Sequence, residues 1–424
     1  MGQYRHMSGP TDLPSLPDAR FAGLLAEAQA LQATTVELRR DLHRHPERGL
    51  DLPRTQAAVR RALEDLPLEV TLGKSTTSVT AVLRGARPGP SVLLRGDMDA
   101  LPLQEDTGLE FASAEDGVMH ACGHDTHVAM LASAARLLAA HADELTGSVV
   151  FMFQPGEEGF HGARHMIHEG VLDAAGERVE RAFGVHVSAN IAAGQLQTRP
   201  GPMMASTDNF LVRVIGKGGH GSSPHHAIDP VPAAAAMVGA LQTMITRRVS
   251  VFDPAVLSVT RISSGTTSNI IPEVAELEGT FRTLSEHSRA LVRAELPKVC
   301  EAVGSAYSCR VQVDLEPGYP VTANDPVEAE RVLALGREVL GADNAVPMPA
   351  PMMGGEDFSY VLQRVPGAFA FLGTCPPGVD PEEAASNHSN RVLHEESALP
   401  SGVAMYAAYA LDALRASGRR SLAG

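Results

Sequence analysis

The chain has 424 residues, 44% of them apolar and 4% aromatic, with no tryptophan and a formal net charge of −15. That supplies a substantial core, but no apolar run reaches the length that spans a bilayer. The acidic excess argues against nucleic-acid binding, which needs clustered Lys and Arg.

This length predicts one oversized domain or two ordinary ones. The four cysteines, at 122, 300, 309 and 375, show no paired spacing. With no secretion signal in view, they read as thiols of a reduced, cytoplasmic protein. Residues 1–20 are polar and rich in proline, lack the apolar centre of a signal peptide, and read as disordered or tag-derived. "ALQATTVELRRDLHRHPE" has helical spacing and ends at Pro46. "SVLLRGDMDALP" reads as a buried strand with a polar exit. "HVAMLASAARLLAAHADEL" is helical by its Ala-Leu periodicity, and "GSVVFMFQPGEEG" is a strand emptying into a Pro-Gly turn. "RAFGVHV" and, near the C-terminus, "GAFAFLGTC" are two more strands. Strands alternating with helices predict an α/β domain whose mixed sheet is covered on both faces. Asp97, Asp99, Glu157, Glu158 and His186 fall at or just past strand ends, where ligands collect in such sheets.

The middle third reads differently. "NFLVRVIG", "AVLSVTRISSG", "VAELEGTFRT" and "CRVQVDLEPG" are strands. The helix "DPVPAAAAMVGALQTMITRRV", with Asp229 as N-cap, follows the first of them. The helix "EHSRALVRAELPKVCEAVGSAY", interrupted at Pro297, precedes the last. The order β-α-β-β-α-β is ferredoxin-like. It predicts an inserted domain over 200–317, with 21–199 and 318–424 forming the α/β domain around it.

The stretch "VMHACGHDTHVAM" carries three histidines, a cysteine and an aspartate in an otherwise apolar run. Cys122 and His124 flank Gly123, so thiolate and imidazole can converge on one metal pair. Glu157 and Glu158 are neighbours on a turn, where one can bind metal while the other stays free. His186 and His388 complete a donor set suited to two divalent cations of the zinc or manganese type. Taken singly, each histidine reads more readily as a surface or packed residue and the adjacent glutamates as a solvated turn; it is their joint placement after strands that points to metal.

In order along the chain, "RGDMDALP", "HACGHDTH", "QPGEEG", "GKGGHGSSPH", "SNIIP" and "GGEDFS" resemble the metallo-amidohydrolases typified by hippurate hydrolase, N-acyl-amino-acid amidohydrolase and the indole-acetyl-amino-acid hydrolases. These belong with the aminoacylases and carboxypeptidase G. The resemblance runs from about Leu38 to Pro400. It implies that Cys122 bridges two metals and that His124, Glu158, His186 and His388 complete their shells. Glu157 would be the general base, and Asp99 the carboxylate that orients a ligand or the base. Asp97 reads equally as structural support.

In the inserted domain, the resemblance implies that His220 reaches the active site of a partner subunit and stabilises the tetrahedral oxyanion. The working unit would then be a homodimer joined through the inserted domains. Asn269 and Arg282 would hold the substrate, Arg282 by a bidentate grip on a carboxylate. By composition alone, His220, His225 and His226 are a solvated glycine-rich loop, and Arg282 an exposed strand arginine.

The chain departs from the family pattern at "RGLDLP" after "HRHPE", at Phe160 and His161 after the glutamate pair, and at Val392, Leu393 and His394 after His388. These changes bear on the pocket and its supports rather than on the ligands. The expected activity is hydrolysis of the amide of an N-acyl amino acid (acetyl, benzoyl or indole-acetyl), with zinc or manganese favoured and cobalt or nickel compatible. A dipeptidase or carboxypeptidase is the alternative of the same superfamily. A cysteine hydrolase using Cys122 and a non-catalytic binding protein are the readings from other classes. The first is disfavoured by the glutamate pair, the second by the retained Glu157. "GGEDFS" reads either as a substrate-side segment near the metals or as a helix N-terminus with Glu356 and Asp357 in its first turn.

Overall fold

The computed structural model describes residues 21 and 23–421, with side chains to residue 415; the segment 1–20 lies outside the described residues. An eight-stranded sheet runs in the order Leu68–Leu72, Val79–Arg84, Thr146–Gln154, Arg87–Asp97, Arg181–Ala192, Gly367–Cys375, Leu196–Thr198, Ala345–Pro347. It is mixed. Arg87–Asp97 pairs in parallel with both of its neighbours, and Arg181–Ala192 with Gly367–Cys375, while Leu68–Leu72 and Val79–Arg84 are antiparallel additions at one edge.

Why the central strands read as continuous apolar runs is plain from their two faces. In Thr146–Gln154, Val149, Phe151 and Phe153 enter one apolar cluster, and Val150 and Met152 the other. Val92 and Leu94 divide from Leu93 in the same way. Helices Gln32–Arg44, His124–Ala140 and Leu399–Ser421 cover the first face. The short helices Gly162–His168 and Ser359–Leu362 cover the second. A strand buried on both sides has no polar phase to alternate with.

A separate four-stranded antiparallel sheet has the order Ala255–Ser264, Val274–Thr283, Asp208–Ile215, Arg310–Pro317. Helices Pro230–Arg248 and Glu286–Ala306 pack on it around Phe210, Val212, Met237, Leu241, Phe281 and Leu296. The chain order is β-α-β-β-α-β. Asp229 caps the first helix by accepting from the Val231 N–H at 3.0 Å.

The expected interruption at Pro297 is corrected by the structure: Glu286–Ala306 is one helix through the proline. A proline inside a helix costs about 3 kcal/mol. Here Val292, Leu296 and Cys300 are buried around it, and each such side chain contributes about 1.5–3 kcal/mol. Packing therefore outweighs the missing hydrogen bond.

The chain crosses between the two sheets at Ser206–Thr207 and Gly318–Tyr319. The crossings pair: the Thr207 N–H donates to the Tyr319 carbonyl at 2.9 Å, and the Tyr319 N–H to Thr207 Oγ1 at 2.8 Å. Among the described residues no helix is long and apolar enough to cross a membrane.

Candidate metal centre

Three loops at one end of the large sheet supply the cluster. His124 is the first residue of helix His124–Ala140, and Gly123 before it takes φ +84°. A side chain at Gly123 would run into Val187 and His394, so only glycine makes the turn that presents Cys122 and His124 together. Glu157 and Glu158 sit beyond the strand Thr146–Gln154, on a turn opened by Gly156 at φ +71°. Asp99 holds that turn: its two carboxylate oxygens accept the N–H groups of Glu157 (2.8 Å) and Glu158 (3.0 Å).

His186 corrects one expectation, since it lies inside the strand Arg181–Ala192 rather than past its end. It is nevertheless exposed to the cluster. The ladder with Arg87–Asp97 stops at the Arg95–Gly184 pair, and the pairing with Gly367–Cys375 bulges after Gly373.

The five expected ligands come together. Cys122 Sγ lies 3.3 Å from His186 Nε2 and 3.2 Å from His388 Nε2. Glu158 Oε1 lies 3.4 Å from His388 Nε2 and 3.9 Å from His124 Nε2. Two triads, Cys122–His124–His186 and Cys122–Glu158–His388, share the sulfur. A thiolate and an imidazole bound to one zinc-type ion in tetrahedral geometry sit about 3.6 Å apart, a few tenths of an ångström more than the 3.3 Å and 3.2 Å found.

The tautomers also fit. His124 Nδ1 donates to the Asp99 carbonyl at 2.7 Å and His186 Nδ1 to the Val187 carbonyl at 2.7 Å, which turns both Nε2 lone pairs inward. His124 Nε2 and Glu158 Oε1 are buried atoms with no hydrogen-bond partner. Orphaned buried acceptors of this kind are costly unless something cationic meets them. The residues present therefore fit a pair of divalent ions. The S, N, O donor mixture is compatible with zinc, manganese, cobalt or nickel.

Glu157 is buried, 6% exposed, beside Glu356 and Asp357. Burial, reinforced by Glu356, Glu158 and Asp357, holds its carboxyl well above the usual range. Burial likewise pushes the Asp357 carboxyl up to about 8, with Arg95 opposing and Glu356 adding.

Several residues near the cluster were not singled out by the sequence reading. Arg95 is fully buried and pairs with Asp97 (2.8 Å), Glu356 (2.7 Å) and Asp357 (3.1 Å). Asp97 accepts from His127 Nδ1 at 2.5 Å, and His127 Nε2 accepts the Val187 N–H at 2.8 Å. Asp97 thus braces the ligand strand through His127, and its other oxygen lies 3.3 Å from His124 Nε2, so it also borders the cluster. The available signal for Arg95 was a charged residue inside the apolar run "SVLLRGD". For "GGEDFS" both readings meet: Glu356 accepts the Phe358 N–H at 2.8 Å ahead of the helix Ser359–Leu362, and its carboxylate lies in the buried group with Glu157.

The departures from the family pattern have structural roles. Beside the altered "RGLDLP", Glu47 of the retained "HRHPE" accepts the N–H groups of Arg54 (3.2 Å) and Thr55 (2.8 Å) at the start of helix Pro53–Leu63. Val392 packs with Met119, Ala121 and Ala189, and buried His394 abuts Gly123.

The residues of the small sheet stand apart. His220 and Asn269 come together on an exposed two-stranded ladder, Gly219–His220 against Ile270–Ile271, where the Gly221 N–H donates to the Asn269 carbonyl at 2.9 Å. Arg282 is half-buried on Val274–Thr283. Among the described residues no hydrogen bond or ion pair joins these three to the cluster.

Comparison with known proteins gives a single family. Residues 93–412 match the family model described as Peptidase family M20/M25/M40. The chain is 38% identical over 389 residues to thermostable carboxypeptidase 1 of Saccharolobus solfataricus, covering 91% of this chain and 96% of that one. It is 37% identical over 351 residues to N-acetylcysteine deacetylase of Bacillus subtilis, covering 82% and 90%. The crystal structure of the Bacillus subtilis YXEP protein, a dinuclear metal-binding peptidase from the M20 family, superposes with TM-score 0.79 at 34% identity, covering 91% of this chain and 99% of that one. The buried cluster and the matched length together place this chain in peptidase family M20/M25/M40, as a metal-binding hydrolase of amide bonds.

Proposed function

We propose that the protein hydrolyses the amide bond of N-acyl amino acids, releasing a carboxylic acid and a free amino acid, with Glu157 as general base. The observation that carries the reading is the split within the glutamate pair. Glu158 lies in the sulfur-centred triad with Cys122 and His388, while Glu157 joins no group containing the sulfur: it borders His124 and Glu158 on one side and the buried Glu356 and Asp357 on the other. A carboxylate left out of the Cys122 triads, buried and raised above its usual range, suits proton transfer.

Cys122, His124, Glu158, His186 and His388 would hold two divalent ions, which when bound activate water and polarise the amide carbonyl. Glu157 takes a proton from the attacking water and delivers it to the leaving nitrogen as the C–N bond breaks. Asp99 keeps the Glu157–Glu158 turn in register. Arg282 and Asn269 grip the amino-acid end of the substrate. His220, reaching from a second copy of the chain, donates to the developing oxyanion. Its exposed ladder, apart from the cluster, supports action in trans. On this reading 200–317 is an inserted dimerisation domain, with 21–199 and 318–424 the catalytic domain. Four unpaired, buried cysteines support a reducing, cytoplasmic setting.

A second reading, cleavage of a C-terminal residue from a peptide, is favoured by the likeness to thermostable carboxypeptidase 1. The test is a panel of N-acetyl, N-benzoyl and indole-acetyl amino acids beside unblocked dipeptides. Each is assayed on apo-protein refilled with zinc, manganese, cobalt or nickel. N-acyl amino acids should be turned over best, and Glu157→Gln should lose at least about 100-fold in kcat with metal retained. Preference for unblocked peptides would select the second reading; full activity of Glu157→Gln would overturn the role of Glu157.

A further inference from the structure

The turn that carries Glu157 and Glu158 is held from two sides, and only one of them is Asp99. On the other side stands Tyr319, 7% exposed, at the crossing between the two sheets. Its hydroxyl donates to the Glu157 carbonyl and accepts the Gly159 N–H at 2.7 Å. Asp99 takes the N–H groups of the turn, and Tyr319 takes its carbonyl and its exit. Four backbone groups of three consecutive residues are thereby fixed by two side chains that approach from distant parts of the chain.

Tyr319 is itself anchored. Its N–H donates to Thr207 Oγ1 and its carbonyl accepts from the Thr207 N–H, so the two crossing segments lock it in place. Arg289, paired with Asp208 at 2.7 Å, also donates to the Gly318 carbonyl at 3.1 Å. The Tyr319 ring is packed edge-on against His161 at 4.9 Å between centroids. His161 adopts φ +58°, a left-handed conformation uncommon outside glycine, and its Nδ1 meets the Tyr360 hydroxyl at 2.9 Å. Strain at that position is tolerated where the side chain is held by its surroundings, and here the imidazole fills the space between two tyrosines. Burial, with the Glu157 and Asp357 carboxylates close by, keeps the Tyr319 phenol protonated as a donor.

We propose that Tyr319, buttressed by His161, is a positioning residue that aims the Glu157–Glu158 turn from the crossing between the sheets. This rests on the reading of Glu157 as general base. A base displaced by a fraction of an ångström from the attacking water slows the chemical step more than it weakens binding. Loss of the Tyr319 hydroxyl therefore acts on kcat, and through Glu158 on the ion that Glu158 would help to hold.

The experiment compares Tyr319→Phe, His161→Gly and Glu157→Gln as metal-loaded full-length protein on the best N-acyl amino acid. Zinc and manganese titrations of each apo-protein run in parallel. For Tyr319→Phe the expected result is kcat lowered 10- to 100-fold, KM within about two-fold, and one of two metal affinities weakened. His161→Gly, which relieves the left-handed strain, should melt no lower than wild type yet lose several-fold in kcat. A purely structural Tyr319 would lower the melting temperature while leaving kcat per folded, metal-loaded site unchanged, and that outcome overturns the proposal. So does wild-type kcat in Tyr319→Phe when Glu157→Gln is inactive. Activity retained by Glu157→Gln would instead remove the general-base reading on which this one stands. Should Tyr319→Phe not fold, Thr207→Val, which deprives Tyr319 of its Oγ1 anchor, carries the same expectation at two- to five-fold in kcat; unchanged kcat there also counts against it.

Discussion

The large sheet and the small one treat their functional side chains in opposite ways. Around the large sheet Cys122, His124, Glu157 and His186 are buried and fixed by neighbours from four segments. Beside the small sheet, His220 and Asn269 are exposed at a separate two-residue ladder. Buried polar groups need partners close at hand, and the donor atoms of the cluster all converge within one chain. An exposed imidazole can wait for a partner. On the proposed reading, one chain supplies the water-activating half of the site, and His220 would be supplied to the oxyanion from a second copy.

The comparison breaks first at its buried half. Cys122→Ala removes the sulfur shared by both triads. It should lose both ions by elemental analysis and leave less than about a thousandth of the activity, more than the loss of a single electrostatic group. Retention of two ions per chain would show that Cys122 is not the bridge.

Next in size is the support behind the cluster. Arg95→Met leaves Asp97, Glu356 and Asp357 without their common cation in a fully buried site. Breaking a buried ion pair on one side costs about 3–5 kcal/mol. Urea unfolding of the metal-free proteins should show a loss of that size, and a change under about 1 kcal/mol would count against the network.

The exposed half is sharpened by mixing. His220→Ala should lower kcat about 100-fold or more with metal content and melting temperature unchanged. Exchanged with Glu157→Gln chains in equal amounts, half the dimers are mixed and one of each mixed dimer's two sites is whole. Up to about a quarter of wild-type activity should then return. No recovery despite proven subunit exchange would place His220 in cis.

The smallest effect is a pH dependence behind the ligand helix. His43 lies between Asp125 (2.9 Å) and Glu105 (3.2 Å). Burial opposes its charge, but the Asp125 carboxylate and the hydrogen bonds to Asp125 and Glu105 win and raise it to about 9. A folded value above the unfolded one means stability that is fully present below about pH 6.5 and lost as pH rises through about 9, at most about 3 kcal/mol. The gap in urea midpoint between wild type and His43→Gln should therefore close between pH 6.5 and 10. A gap that stays constant would show that His43 contributes by packing alone.

Much of this was legible along the chain, for identifiable reasons. Patterning located the strands because burial on one face leaves a mark every second residue and burial on both leaves a continuous apolar run. The order of the middle elements gave the β-α-β-β-α-β arrangement, and the motif around Cys122–Gly123–His124 gave its ligands because the tight turn confines them to adjacent positions. Pro297 misled because propensity is local while the packing of Val292, Leu296 and Cys300 is not. Tyr319 and Arg95 escaped notice because their partners lie far along the chain, at Glu157 and Glu356.

By itself the sequence determined which residue types were available to bind metal, the glycines that let them turn, and the alternation of elements that puts them at one end of a mixed sheet. The resemblance already divided the roles of the glutamate pair, but only the tertiary structure decided how the two are held apart, Glu158 in the Cys122 triad and Glu157 beside Glu356 and Asp357, because outside groups fix the backbone of their turn. Here those groups are the Asp99 carboxylate and the Tyr319 hydroxyl, and no local pattern encodes contacts closed over such distances.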